Sequence, residues 1–577
     1  MLLPLEWRFP GKKSFFMQIQ PQFQSIGNLM IGRLFKIPEY QRAYSWQSKQ
    51  RSDLFQDIEK VHVSGADSHF MATIVGLRRR KFRIAADEFI DIEVVDGQQR
   101  LTTLTILLKA ISKRLVDVEP PRAKEIDSLL VKGDDLSLLL LQTNHDSSHI
   151  FIDYLREGTI PTNKSLHTSA DQNLVNAIGE CESFVDDWTA KSRTLVDLFG
   201  IIKNRLSVIF HEIEDEALVY TVFEVLNSRG LDVTWFDKLK SLLMAIVFEH
   251  GDRGSRKETV AELHNLWTEI YKTIGLRWQN LNRETVRFAG TLRVDKSPNR
   301  PLGEEDAVQV LGDSCENEPK KVVDCTKWLL RVTQAEARIL GDHRLRAATQ
   351  IVQARLAAIA IILRKFPQSD EKRILKVWEN VTFRIYGLGG RDARTKVGEY
   401  VRLAWRVSNE NLSGNAIIDE LTAIGQEFPI DTVLEGLKNA DCYQGWTEKL
   451  RYFFFRYEEH LADEAGQVLN ATQWNRIWAD EPSKSVEHIY PQSKGSQDPN
   501  TKGIFVHRLG NLMMLPPGVN SKLQDDSPKD KAATYNSCGL LGAIEVGKSI
   551  KAERWDRTAV EKREKRLIKW AATEWRD

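Results

Sequence analysis

Two short strand-like stretches near the C-terminus, Ser485 to Ile489 and Leu512 to Leu515, constrain the fold of this chain more than any other feature. Each is too short for a stable helix but fits a buried strand. A polar loop joins them, Pro516-Pro517-Gly518 turns the chain, and Asn520 is placed to begin a helix. The predicted order is strand, loop, strand, helix. The first strand would deliver Glu487 and His488 at its end, in the run Val486-Glu487-His488-Ile489-Tyr490-Pro491-Gln492. Asn511, in Leu509-Gly510-Asn511-Leu512, enters the second strand, and Asn520-Ser521 opens the helix.

That set of side chains suits the hydrolysis of a phosphodiester with one metal ion. Carboxylate and amide oxygens are ligands for a hard cation, so Glu487 and Asn520 are expected to hold Mg²⁺ or Mn²⁺. An imidazole beside them takes a proton from water, which makes His488 the expected general base. Asn511 is expected to fix the loop and the tautomer of the imidazole. Singly, a Glu-His dipeptide and turn-capping asparagines mean little; their joint spacing carries the reading.

Composition bounds the rest. With 577 residues, 42% hydrophobic and 28% charged, the chain fits a multidomain globular protein of about two to four domains. No apolar run reaches the roughly 20 residues of a membrane helix, and Met1 to Lys13 lacks the basic start and cleavage site of a signal peptide. Cys181, Cys315, Cys325, Cys442 and Cys538 are scattered with no CxxC pair, which predicts reduced thiols and a cytoplasmic location. The net charge of +1 gives no global attraction to nucleic acid, so any DNA contact must come from local patches.

The overall expectation is an α+β, multidomain chain: a mixed α/β region over 1–250, a helical region over 251–440, and the strand-strand-helix region over 441–577. Strands are predicted at Arg33 to Ile37, Phe70 to Leu77, Asp91 to Val95 and Leu206 to Phe210. Helices are predicted after an N-cap at Ser45, over Leu101 to Leu115, over Glu216 to Ser228, after a capping box at Thr234 and Asp237, and over Arg344 to Phe366. Gly387-Leu388-Gly389-Gly390 interrupts the helical region.

Asp96-Gly97-Gln98-Gln99-Arg100 falls between a predicted strand and the helix from Leu101. A helix start offers free N–H groups and a positive dipole end to a phosphate. Gly97 permits close backbone approach, Arg100 can grip phosphate oxygens, and Asp96 can hold a cation or a ribose hydroxyl. Gln98 and Gln99 complete the loop, and a glutamine there can orient an attacking water. The alternative is a polar helix cap.

The string has company: Ile37-Pro38-x-Tyr40-Gln41-Arg42-x-Tyr44-x-Trp46, His69-Phe70, then Phe223-Glu224-Val225-Leu226-Asn227-x-Arg229-Gly230 with Asp237 and Lys240. That series resembles the N-terminal domain of GmrSD-type modification-dependent restriction enzymes. EHIYPQS, HRLGNLMML and NSK, continued by Lys531 and Tyr535, resemble the His-Me finger (HNH) nuclease domain at the C-terminus of the same enzymes. Many HNH enzymes have Asp where this chain has Glu487. The resemblance covers the first 250 residues and the last 140 or so. It implies a ParB/sulfiredoxin-like domain that binds and hydrolyses a nucleoside triphosphate, GTP or another, with Asp96, Gln98 and Arg100 near the phosphates. It further implies that Tyr40, Gln41 and Arg42 help sense DNA modification, against the alternative that Tyr40, Tyr44 and Trp46 pack under the next helix.

Gly542 to Ser549 fits the P-loop pattern G-x₄-G-K-[ST] letter for letter, yet no strand precedes it and too little chain follows for a P-loop domain. The match is read as coincidental. From Lys551 to Lys569 there are eight Lys/Arg and four Asp/Glu, a basic helix that would anchor through Trp555, Leu567, Ile568 and Trp570 and either track a phosphate backbone or simply face solvent. Arg78-Arg79-Arg80-Lys81 is expected as a loop. The functional expectation is a nucleotide-regulated, Mg²⁺-dependent endonuclease that nicks modified or phage double-stranded DNA, making double cuts only as a homodimer. The other reading is a nucleotide-switched interaction module whose HNH-like domain binds nucleic acid without cutting it.

Overall fold

The computed structural model describes residues 21–38, 41, 43–84, 87–132, 138–139, 141–143, 148–160, 166, 168–214, 234–252, 254–275, 281–346, 350–438, 440–495, 504–552 and 554–576. Tyr40, Arg42, the helix expected over 216–228 and the 223–230 motif lie outside them. The chain divides into two compact units, one comprising 1–286 with 304–333 and the other 287–303 with 334–577. The helices grouped as 251–440 are therefore shared between the units. No described helix is long and apolar enough to cross a membrane.

Among the described residues, the first unit holds a six-stranded mixed sheet. Its strands are β1 (Pro21–Ser25), β2 (Arg33–Ile37), β3 (His69–Ile84), β4 (Asp87–Asp96), β5 (Leu141–Thr143) and β6 (Leu206–Ile213), in the order β1-β6-β3-β4-β2-β5. β3 and β4 form an antiparallel hairpin, β6 runs parallel to β3, and β2 runs parallel to both β4 and β5. Helices α1 (Ser48–Ser64), α2 (Gln98–Leu115), α3 (Ser169–Ala190), α4 (Trp235–His250) and α5 (Arg256–Ile274) complete the parts used below. The residues of α2 from Leu101 to Leu108 are all buried, so this part of the helix runs through the core, and Lys109, Lys113 and Arg114 beyond it pair with acidic side chains. Arg51 of α1, 1% exposed, binds Glu180 of α3 through Nε (2.7 Å) and Nη2 (2.6 Å), tying those two helices together.

Three local expectations need correction. α1 starts at Ser48 with Gln47 as its cap, not after Ser45, because the backbone N–H groups of Ser45 and Trp46 are both drawn to Oε1 of Gln99. α2 starts at Gln98, so the glutamines form its first turn and do not precede it. Arg78 to Lys81 lie within β3 at a bulge rather than in a loop. Acidic partners on neighbouring strands make this tenable: Arg78 meets Glu212 at 3.0 Å and Arg79 meets Glu93 at 2.8 Å.

The second unit is mainly helical. The stretch expected as one helix over Arg344 to Phe366 contains two, His343–Arg346 and Val352–Leu363. The latter ends before Lys365, whose φ of 54° is left-handed, and before Pro367, which disfavours a helical Phe366. Around the predicted site, β7 (Val486–His488) pairs antiparallel with β8 (Leu512–Met514), with Leu512 opposite His488 and Met513 opposite Glu487. Helices α6 (Thr447–Glu464), α7 (Pro517–Leu523), α8 (Pro528–Ser537), α9 (Leu541–Ala552) and α10 (Arg557–Glu574) surround this pair. The strand, strand, helix order holds, but Asn520 sits in the middle of α7 because Pro517 already occupies its first turn. An aromatic core including Phe453, Trp474, Trp570 and Trp575 supports the unit.

Candidate functional site

β7 is too short to hold itself in place, and side chains from the helices fix it. Lys531 of α8, 1% exposed at its side chain, donates to Oε1 of Glu487 at 2.8 Å and to the carbonyl of His488 at 2.9 Å. The Tyr535 hydroxyl, one helical turn on, donates to the same Oε1 at 2.6 Å. Burial pushes the Glu487 carboxyl above its usual range, and Lys531 and Tyr535 only partly oppose that shift. Asn520 donates from Nδ2 to the carbonyls of Lys484 (2.9 Å) and Val486 (3.1 Å). Oε2 of Glu487 and Oδ1 of Asn520 make no hydrogen bond among the described residues.

His488 is 8% exposed. Its Nε2 lies 3.2 Å from Nδ1 of His507, while its Nδ1 has no hydrogen-bond partner among the described residues. Tyr443 holds both rings: it stacks on His507 (centroids 5.3 Å apart, planes 9° apart) and meets His488 edge-on at 4.7 Å. Tyr443 is itself set by a turn in which Oδ1 of Asp441 accepts its backbone N–H, and the N–H of Cys442 binds the His507 carbonyl at 2.9 Å. Burial, helped by His507 and Lys531, lowers the His488 pKa to about 4, so the imidazole is neutral near pH 7.

Asn511, fully buried, was expected to fix the imidazole, and it does not. Its Oδ1 accepts from the Tyr490 N–H (2.8 Å) and from Nε1 of Trp555 (3.2 Å), and its Nδ2 donates to the carbonyls of Tyr490 (3.0 Å) and Val506 (2.9 Å). Its hydrogen-bonding capacity is spent on the loop, through Tyr490 and Val506, and on Trp555, which serves the other half of its expected role. The C-terminal helix α10 locks the same loop. Arg563 donates from Nη1 to the carbonyls of Gly510 and Leu512, and Arg508 pairs with Glu564. Trp555 and Leu567 are buried as expected, and Lys562, Lys565 and Lys569 face solvent. The P-loop look-alike lies inside α9, whose first N–H groups are taken by the carboxylate of Glu458, so no phosphate cradle exists there.

In the first unit, the predicted phosphate loop also has definite geometry. Gly97 has φ 93°, and a Cβ on it would stand 2.8 Å from Cγ1 of Ile74, so both conformation and space require glycine between β4 and α2. Gln98 donates to Oε1 of Gln41 at 3.1 Å, Gln41 donates to the Val95 carbonyl at 2.7 Å, and Lys240 of α4 donates to the Gln41 carbonyl at 3.3 Å. Gln99 accepts from Ser45 and Trp46 and donates to the Ala43 carbonyl. The Arg100 guanidinium lies 5.8 Å from the Trp46 ring. The widely separated pieces Gln41, Trp46, Gln98 to Arg100 and Lys240 thus converge at one helix start. Gln41, expected on a DNA-sensing surface, is 3% exposed and bonded inward, so its amide braces the loop. Asp96 closes β4 opposite Val75.

A family model of the GmrSD restriction endonuclease N-terminal domain matches residues 23–244. A second, of the GmrSD restriction endonuclease C-terminal domain, matches residues 429–570. Together they take in more than half of the chain. The chain belongs to the GmrSD-type restriction endonucleases. No curated protein matches it. A GmrSD-type restriction endonuclease is a nuclease with DNA as its implied substrate, and both constellations described above fall within the matched domains.

In this GmrSD-type chain, the sequence reading passed over His507 and Tyr443. His507 stands in the quoted HRLGN run, and its only signal was proximity in sequence to Asn511. Tyr443 gave none, since two helices, Thr447–Glu464 and Ala471–Ala479, separate it from β7.

Proposed function

We propose that the C-terminal region of this GmrSD-type protein is a His-Me finger (HNH) nuclease that nicks double-stranded DNA, modified or of phage origin. The N-terminal region would be a ParB/sulfiredoxin-like module that binds and hydrolyses a nucleoside triphosphate, GTP among the candidates, and thereby controls cutting. The observation that carries the nuclease reading is the geometry of His488: an imidazole beside the Glu487 carboxylate, held on Nε2 by His507 and with no partner on Nδ1 among the described residues. Its Nδ1 takes a proton from water, and the resulting hydroxide attacks phosphorus.

Oε2 of Glu487 and Oδ1 of Asn520, which bond no described residue, are hard donors, and they fit Mg²⁺ or Mn²⁺. Such an ion, when bound, supplies charge neutralisation at the phosphate and at the departing oxygen. Lys531 and Tyr535 fix the carboxylate by its other oxygen, the kind of outer support that orients a ligand. In the N-terminal module, the start of α2, which no side chain caps, Gly97 and Arg100 would supply N–H groups, close approach and a cation for phosphate oxygens. One active centre cuts one strand, so double-strand breaks need two copies. The test is cleavage across a panel of unmodified and differently modified phage genomes, with and without nucleotide. Cutting of a modified subset that responds to nucleotide supports the reading; binding without cutting on every genome favours an interaction module.

A further inference from the structure

The pairing of His488 with His507 has a chemical consequence. One ring must donate the hydrogen across 3.2 Å and the other must accept it. If His507 donated, the lone pair on Nε2 of His488 would be consumed and its open Nδ1 would carry a hydrogen, leaving no base. If His488 donates from Nε2, its Nδ1 carries the lone pair and faces no competing protein donor among the described residues.

We propose that His507 is the positioning residue of strand cleavage: it accepts the Nε2–H of His488 and so sets the Nδ1 lone pair as the one that deprotonates water. The proposal rests on the nuclease reading above. Water gives its proton to Nδ1, the hydroxide oxygen bonds to phosphorus, and the phosphorus–sugar oxygen bond breaks, the departing oxygen taking a proton from solvent. The imidazolium so formed keeps its Nε2–H on His507, which holds the ring in place through the step. Tyr443, stacked on His507 and edge-on to His488, fixes the plane of the acceptor. The backbone bond from Cys442 to the His507 carbonyl holds it at the root. Asn511 is excluded from this task because its amide is spent on Tyr490, Val506 and Trp555.

The test uses the full chain with Mg²⁺ in two variants. His507→Phe keeps a ring on Tyr443 without a nitrogen; His507→Asn keeps an acceptor close to the position of Nδ1. The single-turnover cleavage rate should fall about 100-fold in His507→Phe, the low end of what general-base catalysis contributes, with DNA affinity unchanged. His507→Asn should stay within about tenfold of the parent. A His507→Phe protein that cuts at the parental rate, or equal loss in both variants, overturns the proposal. The ¹⁵N spectra of histidine-labelled protein, with His488→Ala to assign the signals, read the tautomer without catalysis. A parental His488 protonated on Nε2 and bare on Nδ1 bears out the tautomer set by His507 whether or not the protein cuts, and a hydrogen on Nδ1 overturns the proposal.

Discussion

Lys531 donates both to the Glu487 carboxylate, at 2.8 Å, and to the backbone carbonyl of His488, at 2.9 Å. One ammonium therefore orients a proposed metal ligand and the strand that presents the proposed base. Lys531→Met should unfold at lower denaturant, by roughly 3–5 kcal/mol, because it strands a buried carboxylate. Adding Glu487→Gln should recover part of that loss in a double-mutant cycle. Additive losses would show that the pair is not coupled.

Gly510 marks the closest approach of α10 to the loop, where a Cβ would collide with the Val560 carbonyl. Gly510→Ala should cost about 1–3 kcal/mol, the range for overpacking a tight site. Gly518→Ala, where a Cβ meets nothing within 4 Å, should be close to neutral. Denaturant midpoints of the two variants compare them directly.

For the nucleotide module, Arg100→Ala should abolish triphosphate hydrolysis, whereas Lys548→Ala should leave it intact, since Lys548 lies on a helix with a capped start. Phosphate release assays on purified variants decide it. The reverse pattern would restore the P-loop.

Glu574, at the end of α10, receives Lys376 at 2.7 Å and Arg456 at 2.5 Å. Burial pushes its pKa up, but Arg456 and Lys376 outweigh that and hold it below the usual glutamate value. A depressed carboxylate stabilises the fold fully above its unfolded pKa, and this contribution is lost as pH falls through the folded value. Glu574→Gln should thus be less stable than the parent by roughly 1 kcal/mol near neutrality. The gap should close below about pH 4. A gap independent of pH would assign the loss to packing.

Local pattern made much of this architecture legible. Arg33 to Ile37 is readable from its alternation up to Pro38, and Leu206 to Phe210 and Leu512 to Leu515 from their short apolar runs. Errors arose where a distant partner overrides local preference: Gln99 pulls Ser45 and Trp46 out of α1, and Glu93 and Glu212 make a strand of a tetrabasic run. At the site, His488 and Asn520 stood out by type and spacing, but His507 did not, because its partnership with His488 exists only once β7 and β8 have paired. The resemblance assigns Gln41 to a segment that senses DNA modification; its bonds to Val95 and Gln98 are visible only in three dimensions.

In the proposed reaction one imidazole, on Nδ1, generates the hydroxide that breaks a DNA strand. A time course of supercoiled plasmid with Mg²⁺, comparing the parent with His488→Ala and with chelator added, tests it most directly. Conversion to open circles is expected for the parent, with the rate falling at least about 100-fold in the variant and to background with chelator. Equal conversion by parent and His488→Ala would contradict it.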